Sequence, residues 1–202
     1  MTENDARERV AAMAGEAMPR VDHYVSALIE ENGRQNLIAR STEAEIWSRH
    51  ILDSAQLADY VRPTDRLLLD VGSGAGLPGI VLALLGPWSI ILVEPRRRRV
   101  EFLSRMATEL ALERVQIIAA GVETARQRVD LVIARAVAPS TDIFDWTRGC
   151  ADEGTRFVLP KGRTAQADMD LAEQRWHGLF HVEQSLTDPN AGILIADRVA
   201  RR

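Results

Sequence analysis

A glycine-rich segment lies between two apolar runs near the middle of the sequence. It reads DVGSGAGLPG from Asp70 to Gly79, and its glycines include Gly72, Gly74 and Gly76. Glycine allows a backbone to approach a ligand where a Cβ atom would clash. From Gly74 onward the segment also matches the G-x-G-x-x-G pattern of dinucleotide-binding domains. The segment therefore predicts a loop that binds a nucleoside-containing cofactor.

Two acidic residues bear on which cofactor this is. Asp70 lies in the apolar run two residues before Gly72, and an acidic group there suits the sulfonium and α-ammonium groups of S-adenosylmethionine better than a pyrophosphate. Glu94 ends the next apolar run, 22 residues after Gly72, where a carboxylate can accept hydrogen bonds from ribose hydroxyls. Ribose is common to both cofactors, so Glu94 does not discriminate. We favour S-adenosylmethionine over a dinucleotide, and a glycine turn that merely packs is the remaining alternative.

The elements that must position these residues follow from the hydrophobic pattern. Five apolar runs bounded by helical patterns predict parallel strands buried on both faces: RLLLDV, SIILVE, VQIIA, DLVIAR and RFVLP. Two further runs, LFHVEQSL and GILIADRV, are joined by TDPNA, which is too short for a crossover helix and predicts an antiparallel hairpin. The expected fold is α/β, a Rossmann-like class I S-adenosylmethionine-dependent methyltransferase, with a seven-stranded sheet, an antiparallel last strand and an N-terminal helical extension.

The first third of the chain shows helical spacing. An amphipathic helix opened by Pro19 is predicted over about residues 19–31, with ENGRQN as its break, and a second helical stretch from about Thr42 to Val61 in two pieces. We predict that residues 1–62 form a helical extension packed on the core, and that residues 63–202 form the methyltransferase core.

Composition narrows the class of protein. The 202 residues contain one cysteine, Cys150, which argues against a disulfide framework or a Cys-rich zinc site and suits a reducing cytoplasm. We expect no bound metal. The charged start MTENDARERV does not resemble a secretory signal. Residues 71–93 carry no charge, but glycines and prolines interrupt them, so we expect no membrane segment.

The net charge of −4 weighs against a nucleic-acid binder without excluding one, because binding needs only a local basic patch. The run RRRR from Arg96 to Arg99 is a candidate patch. Consecutive helical residues turn by about 100°, so the four arginines cannot all face one partner. The run is left open as either a solvated helix face or a contact to phosphate.

Several short motifs occur in an order that resembles one family. They are NLIA from Asn36, RHILDS from Arg49, DVGSGAGLPGI from Asp70, RRVEFL from Arg98, VE at Val122, RA at Arg135 and KG at Lys161. Over about Asn36 to Lys161 the chain resembles the bacterial guanine-7 methyltransferases of small-subunit ribosomal RNA, the RsmG or GidB family. Ala134 and Gly121 depart from the family pattern, where Ser and a basic residue are expected. Neither departure removes a cofactor contact, but both bear on local contacts with RNA.

The resemblance implies a function and a set of site residues. S-adenosylmethionine would be the cofactor, the partner would be 16S rRNA or the small ribosomal subunit, and the protein would be a cytoplasmic monomer. The cofactor-binding candidates are Gly72, Gly74, Gly76, Leu77, Glu94, Val122, Glu123 and Arg135. The candidates for contact with the substrate are Asn36, His50, Asp53, Arg135 and Lys161. A small-molecule methyltransferase and a non-enzymatic rRNA-binding assembly factor remain the alternatives.

The chemistry of guanine explains why no catalytic acid or base is assigned. Its N7 carries a lone pair and no proton, so methylation requires alignment rather than a general base. Arg135 is the candidate orienting residue, because a guanidinium can donate to the guanine O6 edge or to the cofactor carboxylate. His50 and Asp53 are one helical turn apart, so they either line the site or pair with each other within the helix.

Overall fold

The core of the molecule is one seven-stranded sheet. The computed structural model describes residues 1–202, and its strand order is β3-β2-β1-β4-β5-β7-β6. The first five strands are parallel, and β7 runs antiparallel to both of its neighbours. The strands are β1 (Leu67–Val71), β2 (Ser89–Val93), β3 (Val115–Ile118), β4 (Leu131–Ile133), β5 (Arg156–Gly162), β6 (Trp176–Gln184) and β7 (Gly192–Arg201). The predicted sheet and its terminal hairpin are confirmed.

Helices cover both faces of this sheet. They are α1 (Glu3–Ala14), α2 (Met18–Gln35), α3 (Asp53–Ala55), α4 (Gly79–Leu85), α5 (Arg97–Glu109), α6 (Ser140–Thr147) and α7 (Ala165–Arg175). Around α3 the chain forms short 3₁₀ turns at Arg40–Glu45 and Gln56–Tyr60 and a π-helical turn at Trp47–Leu52. None of the helices has both the length and the apolar character that crossing a bilayer requires.

Two hydrophobic layers result from the alternation of side chains along the strands. Leu68 of β1 packs in a cluster of 31 buried residues with α1 to α5, whereas Leu69 and Val71 pack in a cluster of 18 buried residues with α6 and α7. Burial on both faces explains why these strands are almost uninterrupted apolar runs in the sequence.

The N-terminal helices belong to the first of these layers. Val10 of α1 and Leu28 of α2 are fully buried in the same cluster as Ile80 of α4. Tyr24 of α2 is also fully buried, and its Oη donates to the backbone oxygen of Ala75 at 2.8 Å. Helix α2 therefore contacts the glycine-rich loop directly. The division of the chain after residue 62 stays a prediction.

Two features of the N-terminal region differ from the sequence expectation. Helix α1 was not predicted; it is opened by a capping box in which Thr2 and Asp5 each accept from the backbone of the other. The predicted break at ENGRQN is wrong, because α2 continues to Gln35. Asn32 is buried there and accepts from the Ile38 amide at 2.8 Å, so a polar residue that favours turns instead supports the end of the helix.

Candidate active site

Two adjoining cavities open where the parallel strands end. Their volumes are about 850 Å³ and 370 Å³, and Gly72, Arg99 and Ala136 border both. Strand β1 pairs with β2 on one side and β4 on the other, so the chain reverses its direction of winding at β1. Open α/β sheets bind ligands at such a switch point, outside the carboxyl ends of the strands. The position and size of the cavities are those of a small-molecule site.

The glycine-rich loop between β1 and α4 forms the wall between the sheet and the larger cavity. Gly72, Gly74 and Gly76 all have positive φ values, of 66°, 55° and 91°. A Cβ on Gly72 would lie 3.0 Å from Val137 Cγ2, and one on Gly76 would lie 2.5 Å from Ile80 Cδ1. Backbone conformation and space therefore both favour glycine at positions 72 and 76, whereas at Gly74 only the backbone conformation does.

Asp70 lies beneath this loop rather than in a cavity. It borders neither cavity, is 1% exposed, and its Oδ2 accepts from the Gly79 amide at the start of α4 at 3.0 Å. Its Oδ1 has no partner. Burial raises the pKa of Asp70 to about 7, and the nearby Glu94 carboxylate adds to the rise. The structure thus gives Asp70 a supporting position under the loop, not the cofactor contact expected from the sequence.

Glu94 follows β2 and borders the smaller cavity. It is 1% exposed; its Oε2 accepts from the Gly74 amide at 3.0 Å and its Oε1 from the Arg96 amide at 2.9 Å. An ionised carboxylate has about four acceptor positions. Two backbone bonds therefore fix its orientation and leave acceptor capacity for two hydroxyl donors, which a ribose supplies.

The remaining wall of the smaller cavity is partly apolar. Val122 and Glu123, in a 3₁₀ turn after β3, border it together with Val137 and Trp146. Val122 is buried, whereas Trp146 is 40% exposed. Apolar side chains beside a fixed carboxylate suit a nucleoside, with its flat base and its diol. Trp146 is therefore also a candidate contact for the base.

Arg135 follows β4 and borders the larger cavity, as does Leu77. Its Nη1 donates to Asp53 Oδ2 at 3.1 Å and to the backbone oxygen of Arg49 at 3.2 Å. The Arg135 side chain is only 15% exposed. Arg135 is largely buried because the N-terminal segment covers the end of β4.

His50 adjoins Arg135 but borders neither cavity. Its Nδ1 lies 3.4 Å from Arg135 Nη2, and its Nε2 lies 2.7 Å from Thr42 Oγ1. Burial, together with the charges of Arg135 and Arg49, lowers the pKa of His50 to about 4. The ring is therefore neutral at pH 7, and a guanidinium donor at Nδ1 assigns the proton to Nε2. His50 and Asp53 do not pair with each other.

The other two candidates for substrate contact lie in different surroundings. Lys161 borders the larger cavity, but its side chain is 9% exposed; Nζ donates to the Ala138 oxygen at 2.7 Å and lies 3.2 Å from Asp168 Oδ2. Burial lowers the pKa of Lys161. Asn36 is exposed at the end of α2 and borders neither cavity, although Leu37 does. Asp53, Arg135 and Lys161 therefore border the larger cavity together, whereas His50 and Asn36 border neither cavity.

Sequence reasoning missed one side of the larger cavity. The turn between β6 and β7 borders it through Ser185, Thr187, Asp188, Pro189 and Ala191. TDPNA was interpreted only as a hairpin link. Since β6 runs parallel to β5, its carboxyl end lies at the same sheet edge as the glycine loop, and this topology could have predicted that the turn borders the site.

Arg99 was treated in the sequence as one of four arginines. In the structure it borders both cavities and lies 3.7 Å from Glu94 Oε2.

No group of three or more His, Cys, Asp or Glu side chains is arranged to hold a metal ion.

Two solved structures share the fold. A variant of MtNAS in complex with S-adenosylmethionine aligns with a TM-score of 0.62 and 16% identity, over 90% of this chain and 75% of that one. A methyltransferase from Geobacter sulfurreducens aligns with a TM-score of 0.60 and 17% identity, over 88% of each chain. The sheet order is that of the class I methyltransferase fold.

The family within this class follows from sequence similarity. The family model for rRNA small subunit methyltransferase G, GidB, matches residues 17–192. The ribosomal RNA small subunit methyltransferase G of Sphingopyxis alaskensis is 45% identical over 186 residues, which cover 91% of this chain and 80% of that protein. The chain belongs to the GidB family, and the resemblance seen in the sequence motifs is confirmed.

Proposed function

We propose that this protein transfers a methyl group from S-adenosylmethionine to N7 of a guanine in 16S ribosomal RNA. The observation that carries the proposal is the pair of adjoining cavities in a chain of this family: one has the features of a nucleoside site, and the other is bordered by Arg135. Large volume and basic side chains suit the second cavity for an RNA base. We place the protein in the cytoplasm with its rRNA substrate, acting as a monomer.

The residues of the smaller cavity fit S-adenosylmethionine. Gly72 would let its backbone approach the cofactor, Glu94 would accept from the ribose hydroxyls, and Val122 and Glu123 would contact the adenine. The Glu94 carboxylate borders the smaller cavity and favours a cationic ligand there, while Asp70 supports the loop from beneath. When bound, the cofactor supplies an electrophilic methyl group on a sulfonium.

Methylation of guanine N7 requires the protein to hold the base in line with the methyl group and the sulfur. Transfer forms a bond between guanine N7 and the methyl carbon, breaks the bond between that carbon and sulfur, and leaves the electron pair on sulfur. No proton leaves N7, so no base is needed. Arg135 would donate to guanine O6 beside N7 and fix the base in line. His50 is neutral and its ring nitrogens contact Arg135 and Thr42, which agrees with a supporting position.

Replacing Glu94 with glutamine will weaken the binding of S-adenosylmethionine by about 1–3 kcal/mol, the range for hydrogen bonds to a charged group. Glutamine has a similar shape but exchanges one acceptor oxygen for a donor, so it cannot accept both ribose hydroxyls while holding Gly74 and Arg96. Calorimetry measures the affinity. Glu101→Gln, at an exposed carboxylate on α5, is the matched control and will bind like the unaltered protein. Equal affinity of the two variants would remove Glu94 from the cofactor site.

The substrate class is tested by offering three acceptors with labelled S-adenosylmethionine: isolated small ribosomal subunits, large subunits and free guanosine nucleotides. We expect label only in the rRNA of small subunits, with affinity that falls as salt rises because phosphate contacts release counterions. Label in nucleotides alone would indicate a small-molecule methyltransferase. No transfer to any acceptor, with rRNA binding retained, would indicate an assembly factor.

A further inference from the structure

The side-chain hydrogen bonds of Arg135 all lead to one short segment of the N-terminal region. Nη1 donates to Asp53 Oδ2 at 3.1 Å and to the Arg49 oxygen at 3.2 Å, and Nη2 lies 3.4 Å from His50 Nδ1. None of these partners belongs to the sheet that carries Arg135. The orientation of the guanidinium is therefore set by residues 49–53, which include most of the π-helical turn Trp47–Leu52. π-Helical turns often occur at functional positions.

Asp53 is the charged member of this segment, and its two oxygens have different partners. Oδ2 accepts from Arg135, while Oδ1 accepts from Thr187 Oγ1 at 2.8 Å and from Gln56 Nε2 at 2.9 Å. Gln56 in turn accepts from the Leu186 amide at 2.8 Å. Asp53 thus connects Arg135 to the turn between β6 and β7, and both Arg135 and this turn border the larger cavity.

The ion pair between Asp53 and Arg135 is shielded from solvent, so it can hold the orientation of the Arg135 guanidinium. The side chains of Asp53 and Arg135 are 19% and 15% exposed, and charge-assisted hydrogen bonds are about twice as strong as neutral ones. An arginine side chain has a flexible stem and loses rotamer freedom when its guanidinium is held in one position. Without Asp53, that freedom would return to Arg135, and the guanidinium would spend less time aimed into the cavity.

We propose that Asp53 is a positioning residue for methyl transfer, which acts by holding Arg135 and the β6–β7 turn in one arrangement at the mouth of the larger cavity. It does so through its protein partners, because Arg135, Thr187 and Gln56 occupy its two carboxylate oxygens. This inference rests on the proposed function, and it deepens it: the N-terminal segment, and not the sheet alone, determines how the base is presented.

The test is steady-state methylation of isolated small subunits by Asp53→Asn, with Asp59→Asn as the control. Asp59 is an exposed carboxylate in the following 3₁₀ turn. We expect Asp53→Asn to lower kcat by about 10- to 100-fold, the scale of a misplaced reacting group. KM for the subunit and Kd for S-adenosylmethionine will change by less than about threefold, because the carboxylate oxygens of Asp53 are already bonded to Arg135, Thr187 and Gln56. The control will keep the kcat of the unaltered protein.

A thermodynamic cycle separates positioning from a structural role. In an Arg135→Lys background, Asp53→Asn will have little further effect on kcat, because the group through which it acts has been altered. Thr187→Val, which removes one hydroxyl partner of Asp53, will lower kcat by a smaller factor, and it serves as the deciding variant if Asp53→Asn does not fold. The inference would be overturned, while the proposed function stands, if Asp53→Asn had the kcat of the unaltered protein. It would also be overturned if Asp53→Asn lowered kcat by the same factor in the Arg135→Lys background. An unaltered protein that methylates no subunit would overturn both.

Discussion

Replacing Arg135 with alanine will lower the rate of methyl transfer to small ribosomal subunits by about 100-fold or more, the usual effect of removing one preorganised donor from a reaction site. The variant will also be less stable by about 1–3 kcal/mol, because the half-buried Asp53 carboxylate loses its charged partner. Single-turnover methylation and thermal melts measure the two effects. Arg135→Lys will recover only part of the rate, since an ammonium lacks the planar fork of donors.

The matched control is Arg148→Ala. Arg148 is 55% exposed and pairs only with Asp145 on the surface, so its removal will change neither rate nor stability appreciably. The assay is run well below the melting temperature of every variant, so that loss of rate and loss of fold are separable. A rate for Arg135→Ala equal to that of the unaltered protein would show that Arg135 is not a site residue. So would a loss of rate that only follows the unfolded fraction.

Replacing Gly79 with alanine will destabilise the protein by about 3 kcal/mol, the upper end of the usual range for overpacking. A Cβ on Gly79 would lie 2.6 Å from Asp70 Oδ2 and would overlap Leu92 Cδ2. It would push apart β1, β2 and α4 directly beneath the cofactor loop. S-adenosylmethionine will bind more weakly as a result. Chemical denaturation and calorimetry measure both quantities.

Gly33→Ala is the control for this prediction. Gly33 lies within α2, and a Cβ there would meet no atom within 4 Å. Because alanine favours a helix over glycine by about 1 kcal/mol, this variant will be as stable as the unaltered protein or more so. If Gly79→Ala matches Gly33→Ala in stability and in cofactor affinity, the close packing of Asp70, Gly79 and Leu92 does not support the loop.

The sheet was predictable because burial on both faces of each strand leaves a clear apolar signal, whereas the N-terminal helices were less so. Helix α1 is highly charged and buries only Ala6 and Val10. The continuation of α2 depends on Asn32, whose contacts with Glu43 and Ile38 form only after the chain folds back. A turn-forming sequence was thus overridden by tertiary contacts.

The candidate site was predictable where the chemistry is local. Gly72, Gly74 and Glu94 border the cavities, whereas Gly76 borders neither. The predicted cofactor contact of Asp70 is wrong, although the alternation of side chains along the strand predicts its true position. Asp70 shares its face of β1 with Leu68, which packs with α4, whereas Val71 and Gly72 border the smaller cavity. The burial of Arg135 was not predictable, because its partner Asp53 lies 82 residues away in sequence.

Locating the transferred methyl group is the most direct test of the proposed function. Small ribosomal subunits from cells that lack this protein are incubated with the purified chain and S-adenosylmethionine carrying a deuterated methyl group, and nuclease fragments of the 16S rRNA are analysed by mass spectrometry. We predict one deuterated methyl group, at N7 of one guanine, and its absence when Arg135→Ala is used over the same time. A methyl group on an exocyclic amine or a ribose would contradict the proposed function. So would the absence of transfer to 16S rRNA by protein that binds S-adenosylmethionine.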